Sequence, residues 1–372
     1  MKFSSYTSHQ EELAEERFAA LVRVVEAGNS RQADVLVVAG DLFHRVGVAS
    51  HIVERAVAIL ARFTGALVLV LPGNHDYLAP EGDRLWTAVR EAAAAGTSNP
   101  SASNPSAAAD SIVVLDRPGS FDLSRYDLPL TVLAAPCDAQ HGASHRLGWA
   151  TGFEPPRGHL VLGVAHGSID GLTLDSEGHY FPMPRKLLAS IPADVWIVGH
   201  THGYHDVADA RIVVPGAPEA DGFDSSELGS AAFVTLDAGS TYAAEPVATG
   251  RYRFYHESLT IDDPDGSEPP EALAARVRAA LPDGDVLVRL AVAGLVADDV
   301  FEQWNAIREE LVRDPRVMRV DDTELRRVLS REEIDRRYAH GSFAHTLLAR
   351  LSEAGDHEAL GQALSIIREV AS

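Results

Sequence analysis

Four apolar segments of this sequence end in side chains that can bind metal ions. These side chains, one for each segment, belong to Asp41, Asn74, His166 and His200. A glycine directly precedes three of them, and glycine leaves the backbone free to turn sharply beneath a ligand. Carboxylate, amide and imidazole groups without a thiolate suit Mn²⁺, Fe²⁺ or Zn²⁺ better than a structural zinc site. One strand-end histidine is more often structural, but four such ends together indicate a metal centre.

The apolar segments are predicted to be buried β-strands, because they are continuous runs rich in Val, Ile and Leu. The predicted strands span 34–40, 66–73, 112–115, 130–135, 159–166, 194–200, 211–216 and 231–237. The predicted amphipathic helices between the early strands span 11–28, 51–63 and 83–95. This alternation predicts an α/β fold, a layered sandwich of two mixed β-sheets flanked by helices. Ligands gather at strand ends in such folds, so we expect the four side chains to meet.

Composition divides the chain into three predicted parts. Residues 1–250 form the sandwich domain, and a low-complexity loop at 96–111 is expected to be a disordered insertion. An acidic stretch rich in Pro and Gly at 261–273 leads into helix and strand patterns, which predict a small α/β capping domain over 251–329. The remainder, 330–372, forms the third part.

Two helices, 331–352 and 357–371, are predicted in this third part. Each has an apolar face. The side chains on these faces are Leu347, Leu348 and Leu351 on the first helix, and Leu360, Leu364 and Ile367 on the second. Such faces could dock a partner or pack on their own domain.

The chain is strongly acidic. Its 372 residues include 54 Asp and Glu against 32 Lys and Arg, which gives a net charge of −22 at pH 7. This balance argues against direct binding of a polyanion, because phosphate contacts draw on surplus Lys and Arg. The basic residues considered as DNA contacts are Arg185, Lys186, Arg251, Arg253, Arg326, Arg327, Arg331, Arg336 and Arg337. Each is at least as well explained by a solvated surface or a helix salt bridge.

Cysteine content and apolar runs indicate the cellular compartment of the protein. Cys137 is the single cysteine, so no internal disulfide forms, and we expect a small buried side chain after the strand 130–135. No run approaches the roughly 20 apolar residues that cross a bilayer. The first ten residues have no apolar core of a secretory signal. A cytoplasmic location is expected, since low cysteine content fits a reducing compartment.

The motifs GDLF, GNHD and GHTHG, with a lone histidine between the last two, resemble those of the calcineurin-like metallophosphoesterase superfamily. The GDLF form, the sequence VVPGAPE at 213–219 and the extra C-terminal region resemble its DNA-repair exonuclease branch, the SbcD-like nuclease subunits. The resemblance implies hydrolysis of phosphodiester bonds by metal-bound hydroxide, with two divalent metal ions and Mn²⁺ as the expected metal.

The same resemblance implies a role for each ligand. Asp41 would bridge both metals, and Asn74, His166 and His200 would complete the second metal site. His202 would serve the first metal.

Two further residues would have catalytic roles by resemblance. His75 would not bind metal but would face the scissile phosphate, stabilising charge or protonating the leaving oxygen. Asp76 would support His75, although a role in capping a turn or helix is an equal alternative.

One motif of the family, an N-terminal strand ending in Asp-x-His or Asp-x-Gln, is not found in this sequence. Residues Ser8 to Glu11 match a capping box that opens the helix 11–28, which puts His9 in a helical turn. Either Met1 is internal to a longer protein that has this strand, which we favour, or the strand is absent. For the chain as given we expect one well-bound metal and poor catalysis.

Three functions stay open at this stage. A DNA exonuclease subunit would work with an SMC-like ATPase (SbcC-like), whose surface would supply the positive charge that this chain lacks. The second candidate is a small-molecule or nucleotide phosphodiesterase, which the acidic charge suits better. The third is a catalytically impaired scaffold. A homodimer is also compatible with the resemblance, and no membrane partner is expected.

Overall fold

Our computed structural model describes most of the chain. The described residues are 10–79, 83–96, 111–173, 175, 177–220, 222–223, 227–237 and 241–371. The expected insertion at 96–111 lies almost wholly outside these residues, and so do Ser8 and His9 of the expected capping box.

The chain divides into two compact units. The first comprises Met1–Asp221 and Glu227–Arg251, and the second comprises Gly222–Ser226 and Tyr252–Ser372. The C-terminal helices therefore belong to the second unit.

The first unit begins with alternating helices and strands. Its helices are α1 (Gln10–Ser30), α2 (Ser50–Leu60), α3 (Arg84–Gly96) and α4 (Arg185–Ser190). Its first three strands are β1 (Val35–Ala39), β2 (Leu67–Leu71) and β3 (Ile112–Val114), which form a parallel sheet in the order β1-β2-β3. Strand β2 is wholly buried, as its apolar sequence LVLVL requires, whereas most of β1 is only half-buried. Among the described residues β1 pairs with β2 alone.

The second sheet of this unit has six strands in the order β4-β5-β6-β7-β9-β8. They are β4 (Gly119–Asp122), β5 (Leu130–Ala135), β6 (Leu160–His166), β7 (Val195–Gly199), β8 (His205–Val207) and β9 (Ile212–Val214). The four central strands run parallel and the two edge strands antiparallel, so the sheet is mixed. A separate antiparallel ribbon follows, formed by β10 (Ser230–Asp237) and β11 (Thr241–Ala248).

One core of the unit lies between the two sheets. Leu69 of β2 packs in one cluster with Val132 and Val164 of the six-stranded sheet. Leu133, the neighbour of Val132, faces the opposite side, because side chains alternate along a strand. Helices α2 and α3 cover the outer face of the three-stranded sheet. These layers confirm the predicted α/β class.

The second unit contains a parallel sheet of three strands in the order β12-β13-β14. The strands are β12 (Arg253–Thr260), β13 (Val286–Ala297) and β14 (Val317–Val328), and the helices between them are α5 (Pro270–Ala279) and α6 (Asp298–Leu311). Each helix returns the chain to a parallel neighbour, as βαβ connections require. Trp304 of α6 is fully buried in this core.

The C-terminal segment corrects one prediction: it contains three helices where two were expected. They are α7 (Arg331–Arg337), α8 (Phe343–Ala354) and α9 (His357–Ala371). The predicted helix 331–352 is interrupted because Gly341 has φ of 76° and Ser342 caps a new helix, its hydroxyl accepting from the His345 N–H. The apolar faces of these helices pack together, with Leu348, Leu360 and Leu364 fully buried.

Candidate metal centre

The turn after β1 presents Asp41 to the edge of the sandwich. Gly40 has φ of 94° and Asp41 has φ of 56°, so two successive residues adopt left-handed conformations. A Cβ on Gly40 would lie 2.1 Å from Nδ1 of His166, and one on Gly73 would lie 2.2 Å from Oδ1 of Asp41. Space therefore requires glycine before both ligands, and at Gly40 the backbone conformation requires it as well.

Four predicted ligands meet at this edge. Nε2 of His166 lies 3.2 Å from Oδ2 of Asp41 and 3.0 Å from Oδ1 of Asn74. Nδ1 of His200 lies 3.3 Å from the same Asn74 oxygen. Within the described part of the chain, ligand atoms of Asp41, His166 and His200 all lie within 4.8 Å of one another. Each comes from a different strand end, as the sequence predicts.

The orientations of His166 and Asn74 test whether these residues fit a cation. Nδ1 of His166 lies 2.8 Å from the carbonyl oxygen of Ala39, which can only accept, so Nδ1 carries a proton. The Asn74 amide nitrogen donates to the carbonyl of Gln140 at 3.2 Å, which turns Oδ1 towards the cluster. When Nε2 of His166 carries no proton, its lone pair therefore points at two oxygens that are also acceptors. A bound cation satisfies all three, so the residues fit a metal ion.

Electrostatics at the cluster also favour a cation. Burial would raise the pKa of Asp41, but His166 and the His75 N–H outweigh it and lower that pKa to about 2. Burial alone would lower the pKa of His166, but the Asp41 carboxylate outweighs it and raises that pKa. The negative field that draws a proton to His166 would equally draw a metal ion.

His200 is held in its neutral form. Burial and then the charge of His166 lower the pKa of His200 to about 4, so the ring is uncharged near neutral pH and can bind metal. Its backbone has φ of 97°, an uncommon conformation for a residue other than glycine and one that often marks functional sites. The ring of Tyr180 lies 5.0 Å away, centroid to centroid, and packs against it.

Asp76 lies behind the ligands. Its carboxylate is fully buried and accepts backbone hydrogen bonds from Asp41 at 3.3 Å, Phe43 at 3.0 Å and Gly73 at 2.7 Å. Burial and then the nearby Asp41 carboxylate raise the pKa of Asp76. These contacts are those of the turn-capping alternative, and they tie the loops after β1 and β2 together.

The two remaining predicted site residues lie at the open side. The His75 side chain is exposed, and its backbone N–H donates to Oδ1 of Asp41 at 2.9 Å. The His202 side chain is exposed, and its carbonyl accepts from the N–H of Ala217 at 2.9 Å. His202 lies outside the group of ligand atoms within 4.8 Å, so its role as a ligand remains a prediction.

Sequence reasoning missed the groups that orient the ligands. The carbonyls of Ala39 and Gln140 fix His166 and Asn74, but main-chain groups carry no residue-type signal. Tyr180 beside His200 was also missed, because it lies in an irregular segment without a motif.

The family comparison agrees with this geometry. The calcineurin-like phosphoesterase family matches residues 8–204, which is more than half of the chain. The chain therefore belongs to the calcineurin-like phosphoesterase family, whose members hydrolyse phosphoester bonds with divalent metals. A search of curated proteins finds no match. None of the helices that the structure describes is long and apolar enough to span a membrane.

Proposed function

We propose that this phosphoesterase cleaves phosphodiester bonds of DNA, removing nucleotides from an end. Metal-dependent hydrolysis is supported by one observation: Nε2 of His166 lies close to both Oδ2 of Asp41 and Oδ1 of Asn74. With His200, these residues would hold a divalent ion, Mn²⁺ in our proposal, and His202 would contribute to a neighbouring one. A bound ion would supply Lewis acidity towards a phosphate oxygen and lower the pKa of a bound water.

The chain's own residues have distinct roles in this proposal. Asp41 would help to hold both ions, and its carboxylate is fixed by the hydrogen bond from the His75 N–H. The exposed His75 ring would stabilise charge on the phosphate or protonate the leaving oxygen. Asp76 would act as a positioning residue, because its hydrogen bonds hold the loop that carries Asp41 and the loop that carries His75.

Two sequence motifs support DNA as the substrate. GDLF and VVPGAPE resemble the DNA-repair branch, as does a separate C-terminal α/β unit. Glu219, the last residue of VVPGAPE, is buried and accepts from the backbone N–H of Arg251 at 2.8 Å. An SMC-like ATPase would supply positive charge around the DNA, since this chain has a net charge of −22. We place this assembly in the cytoplasm.

The second candidate is a nucleotide or other small-molecule phosphodiesterase. The same net charge of −22 favours it, because a small substrate needs only the metal centre and no basic surface.

The test compares substrates on the purified chain with Mn²⁺. End-labelled duplex DNA, alone and with a purified SMC-like ATPase, is compared with bis(p-nitrophenyl) phosphate and cyclic nucleotides. We expect slow, Mn²⁺-dependent release of nucleotides from DNA ends, with the rate falling about 100-fold further in His75→Ala. His51→Ala, which removes an exposed histidine of α2, is the matched control. Turnover of small diesters with intact DNA in every mixture would select the second candidate.

A further inference from the structure

A second group of metal-ligand atoms lies in the second unit, at the turn between α7 and α8. It consists of Asp335, His340 and His345, whose ligand atoms all lie within 4.8 Å of one another. The group is separate in sequence from the phosphoesterase motifs, and the family match ends at residue 204.

The distances suit one shared cation. Nε2 of His345 lies 2.7 Å from Oδ1 of Asp335, and Nε2 of His340 lies 3.8 Å from the same oxygen. The two imidazole rings lie 4.4 Å apart, centroid to centroid, and are tilted by 42°. Ligands of a zinc ion lie about 2.0–2.2 Å from the metal, which puts them about 3–3.5 Å from each other. Small side-chain rotations therefore bring all three donors to one ion.

The local sequence builds this arrangement. Asp335 lies on α7, which opens with a capping box between Ser330 and Glu333. Gly341, with φ of 76°, lets the chain reverse, and the Ser342 cap starts α8. His345 is thus brought back to Asp335.

The site is closed on one side and open on the other. The His345 side chain is 6% exposed, whereas that of His340 is 74% exposed. A cation here would keep a position open to water, and the histidine on the turn could move to meet it.

A simple hydrogen bond between helices does not account for all three groups. His345 and Asp335 suffice to hold α8 against α7, but they do not require a second imidazole against the same carboxylate. Arg331 also contacts Oδ1 of Asp335, at 3.1 Å. Arg331 also lies 2.7 Å from Glu353. This second carboxylate can keep Arg331 paired when a cation binds Oδ1 of Asp335.

We propose that Asp335, His340 and His345 bind a divalent cation of the zinc type. Two imidazoles and one carboxylate are the donors that Zn²⁺ accepts in sites with an open position. The bound ion fastens α7 to the start of α8. This proposal does not depend on the substrate of the phosphoesterase centre.

The test counts zinc on the full chain by competition with a chromophoric chelator. His340→Ala is the main variant, because an exposed side chain is removed without opening a core. His51→Ala, another exposed histidine, is the control. We expect wild type and His51→Ala to bind one zinc equivalent more than His340→Ala. Equal zinc stoichiometry and affinity in all three would overturn the proposal.

Thermal unfolding provides a second readout. An ion that binds only the folded chain raises the unfolding temperature with its concentration. We expect saturating Zn²⁺ to raise it less in His340→Ala and in Asp335→Asn than in His51→Ala. The same rise in all variants would also contradict the site, because the zinc effect would then arise elsewhere.

Discussion

The buried carboxylate of Asp76 accepts a hydrogen bond of 3.0 Å from the backbone N–H of Phe43, 33 residues earlier in the chain. The same carboxylate accepts from Gly73 at 2.7 Å, in its own loop. One side chain thus joins the loop that carries Asp41 to the loop that carries Asn74. The relative position of these two predicted ligands depends on it.

Replacing Asp76 is expected to reduce both stability and metal binding. Asp76→Ala leaves two buried N–H groups and one partly buried N–H group without an acceptor. Each buried group costs about 1–3 kcal/mol, so the unfolding free energy should fall by at least about 2 kcal/mol. Metal affinity should fall about 10–100-fold, as for other residues that orient ligands. Urea unfolding and Mn²⁺ titration measure the two effects.

Asp83→Ala is the matched control for this change. The Asp83 side chain accepts one backbone hydrogen bond, from Trp86 at 3.1 Å, and pairs with Arg90 at 4.0 Å. In the described part of the chain, neither contact involves a predicted ligand. The variant should cost about 1 kcal/mol and leave Mn²⁺ affinity unchanged. Equal effects of the two variants on affinity would refute the positioning role of Asp76.

Gly40→Ala is expected to displace His166. The new Cβ would lie 2.1 Å from Nδ1 of that ring, and alanine at φ of 94° is itself strained by about 1–2 kcal/mol. We expect weaker Mn²⁺ binding together with a lower unfolding free energy. Gly47→Ala, in the same loop with no atom within 4 Å of the new Cβ, should change neither by much. Unchanged Mn²⁺ affinity in Gly40→Ala would contradict this packing.

The strands that sequence reasoning found and missed differ in their place in the sheets. The sequence predicts buried strands with continuous apolar sequences, and these are β2, β5, β6 and β7. The missed strands β4, β8, β11 and β12 are all at sheet edges among the described residues, and their sequences mix polar with apolar residues. An edge strand has one neighbour and one wet side, so it needs no continuous apolar run.

The site shows the same division. Asp41, Asn74, His166 and His200 were predictable because strand ends converge at one edge of a layered fold. The break in the C-terminal helix at Gly341 was not foreseen, because the apolar pattern continues on both sides of it. The convergence of Asp335 and His345 follows from that break and could not be anticipated without it.

Cys137 is expected to be unreactive in the folded chain. The side chain is buried, as predicted from its place after β5, and the thiol donates to the carbonyl of His166 at 3.6 Å. Burial raises the pKa of the thiol, and only the thiolate attacks disulfide reagents. A disulfide reagent at pH 8 should label the native chain very slowly and the denatured chain at once. Native labelling as fast as denatured labelling would mean that this strand end opens freely.

The loop that contains Asp175 is expected to lose stability in acid. Burial would raise the pKa of Asp175, but hydrogen bonds from the His179 N–H, the Ser168 hydroxyl and the Tyr180 N–H outweigh it and lower that pKa. A lowered carboxyl pKa adds stability above the ordinary value of 3.8, and this stability is lost as pH falls towards the folded-state pKa.

Asp175→Asn measures this contribution. The variant should unfold more readily than wild type at pH 7, and the difference should shrink as pH falls below about 4. Urea unfolding at a series of pH values records it. A difference that stays constant down to pH 3 would mean that the charge of Asp175 does not matter.

The most direct test of the metal centre is a Mn²⁺ titration of the chain, with His340→Ala as the background so that the second proposed site does not contribute. We predict one tightly bound Mn²⁺ per chain, lost in Asn74→Ala and His200→Ala and retained in His51→Ala. The described residues provide a complete ligand set for one ion, so this stoichiometry follows from the geometry at Asp41, Asn74, His166 and His200. Unchanged Mn²⁺ binding in Asn74→Ala and His200→Ala would contradict the site, and two fully occupied ions would contradict the expected single strong site.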